Sequence, residues 1–487
     1  METDNRKRIR NVILEYGLLL LTGVVFYFFT GNEWLNLTSD SPGYIDYTGG
    51  EGIMPLYPAF LRLMKAILGE KYYLDGAVIV QSMLAVVCTM IFVVLLKRRF
   101  GLKLWEELLL YVACMLPFSI YLPEFGITHQ IMTEGLTYSL FYLFFVAIIE
   151  AVWTVEYKWY LASMVMAFIL GITRSQMLFL QAICLLALLW ITLKKITGSI
   201  WRKVGICFAV LITGVVFAFG AYKVSYTIVA FDSQHQPLRE RAESRTEGSV
   251  NVNENSDEVR GANSQFVTII MSRGFYEADR EDADLFQDEM MRKIFERTYE
   301  LADSEGKLHN HAVSGLYMWR TLVYDRMQGY ALQAIDEYDT LHPGDRVRDT
   351  SSIVRELGLR VLIKHFDRYI YHTIRLMLPS FIASVFFQVE SIYLLCHLIT
   401  LFLYIFATAG CGFVYRRGLE PKCAEFMATV LCMLIIMVVS SNLLFVGLQR
   451  YVVYGMGIFY CALYLLCKEI LIIIQQRKIN RAKESGF

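Results

Sequence analysis

The sequence carries no net charge and few charged residues. Lysine plus arginine and aspartate plus glutamate number 46 each, and charged residues make up 19% of the 487 positions. Without a basic excess the chain lacks the electrostatic footprint of a nucleic-acid-binding protein, and no nucleic-acid partner is expected. The sequence also has no internal repeat, heptad run or proline-rich linker. Solenoid, coiled-coil and low-complexity architectures are therefore not expected.

Cysteine is absent from a long polar stretch of the chain. None of the ten cysteines lies between residues 229 and 390. A disulfide framework of the kind that holds secreted domains together is therefore not expected. The cysteines are interpreted as small apolar side chains in or near helices.

Apolar residues are what the sequence has in excess. Hydrophobic residues make up 56% of the chain, and the mean hydropathy is +0.43. Length alone would suggest about three soluble domains, but a soluble protein could not bury this much apolar surface. The composition predicts an all-α polytopic membrane protein.

Ten apolar runs approach the roughly 20 residues that a helix needs to cross a bilayer. The first follows the basic segment 6–10 and could be read as a signal peptide, but it is long for one and no small-residue cleavage site closes it, so a retained helix is expected. The predicted spans are 12–30, 75–96, 104–122, 131–153, 158–173, 175–193, 204–228, 391–414, 424–446 and 452–474.

Lysine and arginine fall on every second connection between these spans. This distribution predicts that both termini are cytoplasmic in the cell membrane. Residues 1–230 then form an N-terminal module of seven helices with a first outside loop at 31–74, and residues 391–487 form a C-terminal module of three helices. Between them, 231–365 is expected to be an outside loop domain, mainly helical after a polar start, and 366–390 an amphipathic segment on the membrane surface. If this segment were an eleventh span, the following basic connection with Arg416 and Arg417 would lie outside the membrane instead of in the cytoplasm.

Charged and hydrogen-bonding side chains collect at the predicted outer ends of the spans, whereas mid-depth charge is almost absent. An ion-coupled transporter normally keeps carboxylates near the midplane. A site at the outer surface fits chemistry on a lipid-linked substrate better. The outer residues are Asp40, Asp46, Glu51, Arg62, Glu124, His129, Glu134, Arg174 and Arg450.

The first outside loop has the most distinctive sequence. It contains an acidic residue after the first span, at Asp40-Ser41, followed by Tyr44 and the stretch Pro55-Leu56-Tyr57-Pro58. Met132-Thr133-Glu134 opens the fourth span and Gln449-Arg450-Tyr451 the last. In these features the chain resembles the membrane glycosyltransferases of the C-type (GT-C) fold, in the bacterial branch related to protein O-mannosyltransferases and the lipid A aminoarabinose transferase. The likeness covers the first 200 residues and recurs near 450.

The resemblance implies a GT-C-like bundle of about ten transmembrane helices that transfers a sugar from a polyprenyl-phosphate donor to an extracytoplasmic glycan, lipid or protein, with inversion. Asp40 is expected to be the base that takes the acceptor proton. Arg174 and Arg450, with His129 behind them, are expected to bind the donor phosphate. Tyr44 is expected to line the sugar pocket. Asp40-Ser41 departs from the Asp-Glu pair of the eukaryotic O-mannosyltransferases, which weakens the case for a protein acceptor.

Glu134 has three readings: it orients the acceptor, binds a metal or holds an arginine. Tyr451 is a further candidate for donor binding, and Asp46 and Glu124 are further acidic candidates. No cofactor is indicated beyond the lipid-linked donor, and a divalent metal is left open without assigned ligands. Membrane lipids are the remaining expected partners.

Structural alternatives stand beside these roles. Asp40 could be a turn residue, since Asp-Ser-Pro-Gly favours a turn. Arg174 and Arg450 could anchor helix ends to lipid headgroups, and His129 could be a surface histidine. The pair His309 and His311 lacks the spacing of a zinc helix and is read as solvated.

Two other functions remain open at the level of sequence. A flippase or transporter for lipid-linked sugar would need a polar path through the bundle. An O-antigen ligase or polymerase would also be multispanning with a large outside loop, but would rely on arginine and histidine in that late loop rather than on Asp40.

Overall fold

A computed structural model gives the arrangement of most of the chain. It describes residues 2–29, 34–38, 40–47, 53–120, 127–195, 199, 201–202, 204–205, 208, 212, 216, 220, 223, 265–311, 327–344, 347, 349–386, 392–417, 421–444 and 452–484. Within these ranges the regular structure is helical, apart from one isolated parallel bridge between Asn36 and Gln130. The all-α class is confirmed for this part of the chain.

Up to residue 195, the described part of the N-terminal module contains eight helices. The long ones form from apolar runs because a helix satisfies its backbone hydrogen bonds within one segment, as a bilayer requires. The helices are α1 Glu2–Phe29, α2 Ser41–Ile45, α3 Leu56–Leu68, α4 Tyr73–Phe100, α5 Leu104–Ile120, α6 Thr133–Thr154, α7 Tyr157–Thr173 and α8 Leu180–Lys195, with a 3-10 turn at Ser175–Phe179 before α8.

From residue 265 on, the described chain forms eight more helices. Four belong to the predicted loop region: α9 Gln265–Phe275, α10 Glu289–Ser304, α11 Met327–Leu341 and α12 Thr350–Lys364. The other four are α13 Phe366–Val385, α14 Tyr393–Arg417, α15 Lys422–Leu444 and α16 Met456–Glu484. Short 3-10 turns at Arg280–Leu285 and Val453–Gly455 precede α10 and α16.

Among the described residues, seven helical stretches are long and apolar enough to cross a membrane: Val12–Phe29, Tyr73–Phe100, Thr133–Thr154, Ser175–Lys194, Tyr393–Arg417, Lys422–Leu443 and Val453–Arg481. Each coincides with a predicted span, which confirms a multi-pass membrane protein. The predicted spans 104–122 and 158–173 correspond to the 17-residue helices α5 and α7. The predicted span 204–228 lies largely outside the described residues, so the count of ten stays a prediction.

Ion pairs between helix ends gather at one end of the bundle, called here the basic end. They join the end of α4 to the start of α5, the end of α8 to the start of α15, and the middle of α16 to the start of α5, and they join the ends of α4 and α6 to each other. Helices α4, α6 and α8 therefore end at the side of the bundle where α5 and α15 begin. The pairs are Lys97–Glu107 at 2.8 Å, Arg99–Glu150, Lys194–Glu425 at 2.9 Å and Lys468–Glu106 at 2.6 Å.

The helices α9 to α12 enclose a second hydrophobic core. Met271, Phe275, Phe295 and Leu357 are fully buried in it. The polar residues 231–264 of the predicted loop domain lie outside the described residues.

The segment predicted to lie on the membrane surface is the helix α13. Its N-terminal end contacts the loop region, where Arg368 binds Asp279 at 2.9 Å. Its C-terminal end packs into the bundle: the Ser384 hydroxyl lies 2.8 Å from that of Tyr404 in α14, and Tyr460 of α16 donates to the Val385 carbonyl at 2.8 Å. The flat position of this segment on the membrane stays a prediction.

Candidate functional site

Two predicted outside loops are joined by backbone hydrogen bonds. The amide of Asn36 donates to the carbonyl of His129 at 3.0 Å, and the amide of Ile131 donates to the carbonyl of Asn36 at 3.2 Å. These bonds fix the chain after α1 against the chain that enters α6. The Asp40 loop and the Glu134 helix end thus lie at the same end of the bundle, opposite the basic end.

The buried side chain of Gln81 in α4 organises this junction. Its amide nitrogen donates to the carbonyls of Thr128 and Gln130 at 3.0 and 3.2 Å, and its oxygen accepts from the Tyr57 hydroxyl at 2.8 Å. A Cβ atom at Gly135 would lie 2.6 Å from the Gln81 carboxamide carbon. Glycine at this position lets the start of α6 approach α4 and sets the position of the adjacent Glu134.

Glu134 and Arg174 form a buried ion pair. Arg174 Nη1 lies 2.5 Å from Glu134 Oε1, and the two side chains are 11% and 3% exposed. The Thr133 hydroxyl donates to Glu134 Oε2 at 3.1 Å and accepts from Arg174 Nη1 at 3.2 Å. Removing one member of a buried pair would leave an uncompensated charge, so each residue constrains the other.

Arg174 is also held by the C-terminal module. Its Nε donates to Gln176 Oε1 at 3.1 Å, and its Nη1 lies 3.4 Å from the Tyr454 hydroxyl. The Gln176 amide donates in turn to Ser441 Oγ at 2.9 Å. The guanidinium therefore has a direction fixed by both modules, unlike an arginine that extends into lipid headgroups.

Tyr44 lies beside the ion pair. Its ring packs edge-on against Tyr57, with the centroids 5.3 Å apart. Burial raises the pKa of Tyr44 to about 12, the nearby Glu134 and Asp40 carboxylates add to the rise, and Arg174 opposes it. The phenol is thus a neutral hydrogen-bond donor among charged groups.

Asp40 is half-buried and directly precedes α2. The turn here is closed by other groups: the Thr38 amide donates to Ser41 Oγ at 2.8 Å, and the Asp40 amide donates to Thr38 Oγ1 at 3.3 Å. The Asp40 carboxylate makes no capping hydrogen bond to α2. Asp40 thus lies in a turn, as the structural alternative predicts, and its carboxylate does not cap the helix that follows.

The remaining predicted residues have different surroundings. His129 is 2% exposed, and its Nε2 lies 2.7 Å from the Tyr27 carbonyl at the end of α1. The surface-histidine alternative is therefore wrong, and these contacts belong to the α1 side of the junction rather than to Arg174. Asp46 is exposed at the end of α2. Glu51, Glu124, Arg450 and Tyr451 lie outside the described residues.

A second polar cluster connects the loop region to α13. Asp279, Asp282 and His365 offer ligand atoms within 4.8 Å of one another, the arrangement of a candidate metal site. Two cations already occupy these carboxylates, since Lys364 lies 2.5 Å from Asp282 and Arg368 lies 2.9 Å from Asp279. The described contacts therefore form an ionic network, in which a metal ion would compete with Lys364 and Arg368 for the two carboxylates.

His309 and His311, which the sequence predicts to be solvated, are half-buried and make side-chain contacts. His311 Nε2 lies 2.9 Å from Asp303, and His309 Nε2 lies 3.3 Å from Asp279. The two histidines thus pair with different carboxylates and do not converge on one point.

Thr133, Gln176 and Tyr454 complete the site but were not singled out from the sequence. Thr133 and Gln176 adjoin candidate residues, which is the signal that could have found them, and Tyr454 closely follows Gln449-Arg450-Tyr451. The chain has no match among protein-family models, curated proteins or solved structures.

Proposed function

We propose that this protein is a membrane glycosyltransferase of the GT-C type, which transfers a sugar from a polyprenyl-phosphate donor to an acceptor outside the membrane. The observation that carries the proposal is the grouping of Tyr44, Glu134 and Arg174 at one end of the bundle, within electrostatic reach of Asp40. An oriented cation, a carboxylate and a neutral phenol are the groups that a displacement at a sugar phosphate uses.

In the proposed reaction the acceptor oxygen attacks the anomeric carbon. A new carbon–oxygen bond forms as the bond between that carbon and the donor phosphate oxygen breaks, which inverts the anomeric centre. Asp40 takes the proton from the acceptor hydroxyl. The polyprenyl phosphate leaves with the bonding electron pair, and Arg174 stabilises its charge.

Glu134 acts on this reaction through Arg174. Of the three readings of its role, holding an arginine is supported by the 2.5 Å contact. A guanidinium has five N–H donors, so it can contact a carboxylate and a phosphate together. In the proposal, Glu134 and Thr133 orient Arg174 before the donor arrives, so that little reorganisation is needed during the reaction.

The flippase alternative requires a polar route through the bundle. The described interior contains a chain of hydroxyls, in which Tyr27 contacts Thr89 at 3.1 Å and Tyr138 at 3.2 Å, and Tyr138 contacts Tyr142 at 3.3 Å. These side chains are at most 7% exposed and carry no charge. Such close packing favours a structural network over a route for a sugar headgroup.

The proposal is tested by sugar transfer in reconstituted vesicles. A panel of radiolabelled hexose- and pentose-linked polyprenyl monophosphates is supplied with membrane extract as the acceptor source. We expect a labelled product with at least one donor. Asp40→Asn should lower the rate about 100-fold or more, since general-base catalysis contributes about 10²–10⁴.

The matched control is Asp46→Asn, because Asp46 is exposed a few residues away. It should retain the wild-type rate within a factor of about 3, an effect of less than 1 kcal/mol on the barrier. Full activity in Asp40→Asn would refute the assignment of the base. Movement of the lipid-linked sugar across the vesicle membrane, with no transfer product from any donor, would favour the flippase.

A further inference from the structure

A cavity of about 540 Å³ lies near the basic end of the bundle, away from the proposed active site. Its volume is in the range of about 300–1,000 Å³ that is usual for ligand pockets. Its lining residues on α4, from Met90 to Arg99, lie between about 14 and 27 Å from Gln81 along the helix. The lining residues come from α1, α4, α6 and α7 and are Tyr16, Met90, Ile91, Val94, Leu95, Arg98, Arg99, Val146, Glu150 and Trp159.

The cavity is polar at one end only. Ile91, Val94, Leu95 and Val146 form an apolar wall, and Arg98 with the other polar groups lies beyond them. The apolar wall also continues along an exposed face of α4, which includes Val80, Met83, Val87 and Ile91. At a spacing of three and four residues these side chains share one helix face. A long alkyl chain could lie along this face with its headgroup at the cationic end.

Arg98 differs from the basic residues on either side of it. Lys97 pairs with Glu107 at 2.8 Å, and Arg99 pairs with Glu150 through two hydrogen bonds. Arg98 is exposed and donates to the Tyr16 hydroxyl at 3.2 Å, and it has no ion pair within the described part of the chain. Its charge is thus available to an anion, and the Tyr16 hydroxyl can donate to the same group.

We propose that this cavity binds one anionic glycerophospholipid from the membrane leaflet at the basic end, with the phosphate on Arg98 and Tyr16 and an acyl chain along α4. The charge of Arg98 selects an anionic headgroup over a zwitterionic one. The binding site is separate from the proposed transfer reaction and does not depend on it.

The test measures lipid binding to the delipidated full-length protein by native mass spectrometry. The probes are phosphatidylglycerol, phosphatidylcholine and undecaprenyl phosphate. We expect wild-type protein to bind phosphatidylglycerol about tenfold more tightly than phosphatidylcholine, the ratio expected from one charge-assisted contact. Arg98→Gln should remove that preference, and Arg98→Lys should keep part of it.

Two further variants distinguish lipid binding in this cavity from general lipid contact with the protein surface. Lys158→Gln is the control, because Lys158 is also a basic residue near this end but pairs with Glu156 and does not line the cavity. It should bind like wild type. Val146→Phe leaves Arg98 in place but fills part of the cavity, so it should weaken binding of both phospholipids.

Equal binding of the two phospholipids by wild-type protein would overturn the proposal, as would an unchanged preference in Arg98→Gln. Tighter binding of undecaprenyl phosphate than of phosphatidylglycerol would also overturn it, because the occupant would then be a polyprenyl lipid. Unchanged binding in Val146→Phe would show that the lipid lies elsewhere.

Discussion

Glu134 and Arg174 illustrate how a membrane protein keeps charges away from water. Their side chains are nearly inaccessible, yet the ion pair and the Thr133 hydroxyl supply partners for both. The attraction between the two charges offsets the large free-energy cost of removing them from water, so the intact pair contributes little net stability. Removing one member leaves the other charge buried without compensation, and the full cost then lowers the stability of the fold. The pair therefore specifies how α6 meets α7 more than it stabilises the bundle.

Replacing Glu134 by glutamine should destabilise the protein. Glutamine keeps the shape but leaves Arg174 without its counter-charge, so we expect a loss of about 3 kcal/mol in the free energy of unfolding. Denaturation of the purified protein in detergent would measure the change. Glu156→Gln is the control, because the Glu156–Lys158 pair is 46% and 69% exposed and should contribute less than about 0.5 kcal/mol. Equal stability of the two variants would show that the buried pair does not hold α6 to α7.

At the scale of elements, the loop region depends on a close crossing of α9 and α12. A Cβ at Gly274 would lie 2.3 Å from the Gly358 carbonyl oxygen, and a Cβ at Gly358 would lie 2.6 Å from the Met271 Cα. Both obstacles are backbone atoms, which cannot rotate away as a side chain can. The two glycines therefore set the distance between these helices.

Gly358→Ala should separate α9 from α12. Added volume at a packed position typically costs about 1–3 kcal/mol, and we expect faster hydrogen exchange in both helices. Gly412→Ala is the matched control in α14, because a Cβ there meets nothing within 4 Å. It should be neutral or slightly stabilising. Unchanged exchange in Gly358→Ala would mean that the crossing is looser than the backbone distances indicate.

The network between the loop region and α13 predicts a response to acid. Burial of Asp282 would raise the pKa of its carboxyl, but hydrogen bonds from Lys364, the Asp279 amide and His365 lower it below the usual value of 3.8. A carboxyl with a lowered pKa stabilises the fold fully at pH values above 3.8. That contribution is lost as the pH falls through the lower pKa of the folded state.

Asp282→Asn should remove this dependence. The variant should show weaker protection of α12 and the start of α13 at neutral pH, measured by pulsed hydrogen exchange, and a smaller further loss on acidification below pH 3.8. Asp284→Asn is the control, since the Asp284 side chain is 77% exposed. An acid response in Asp282→Asn as steep as in wild type would exclude Asp282 as its source.

At the scale of the whole molecule, residues 204–228 determine which side the loop region occupies. Six of the predicted spans precede this segment and correspond to α1, α4, α5, α6, α7 and α8, and an even number of crossings would return the chain to the side of its N-terminus. The predicted seventh span would put α9 to α12 on the opposite side. Helix α13 follows the loop region in the chain, so its packing into the bundle does not change the number of crossings that precede α9 to α12.

A pair of reporters would measure the sidedness. We expect a cysteine introduced at the exposed Ser304, in a background without native cysteines, to react with an impermeant maleimide in intact cells. A protease-sensitive tag after Phe487 should be accessible only in permeabilised cells. The same tag before Met1 should behave like the C-terminal one. Cleavage of both terminal tags by protease added to intact cells would show that the orientation is the reverse of the predicted one.

The sequence predicts some features of this molecule far better than others. Helices such as α4 follow from local composition, because a continuous apolar run satisfies the bilayer constraint wherever it occurs. Counting the spans predicts that Glu134 and Arg174 lie at the same end of the bundle. Their direct contact depends on how the turn between α7 and α8 orients the Arg174 side chain. The contact of Arg174 with Tyr454 joins positions 280 residues apart and results from tertiary packing, which no local pattern encodes.

That long-range contact has a consequence for how the protein is made. A ribosome releases the N-terminal helices into the membrane well before Ser441 and Tyr454 have been synthesised, so Arg174 at first lacks both of its connections to the C-terminal module. A truncated chain that ends before Ser441 would keep Tyr44, Glu134 and Arg174 but would lack the contacts that the C-terminal module makes with Arg174 and Gln176.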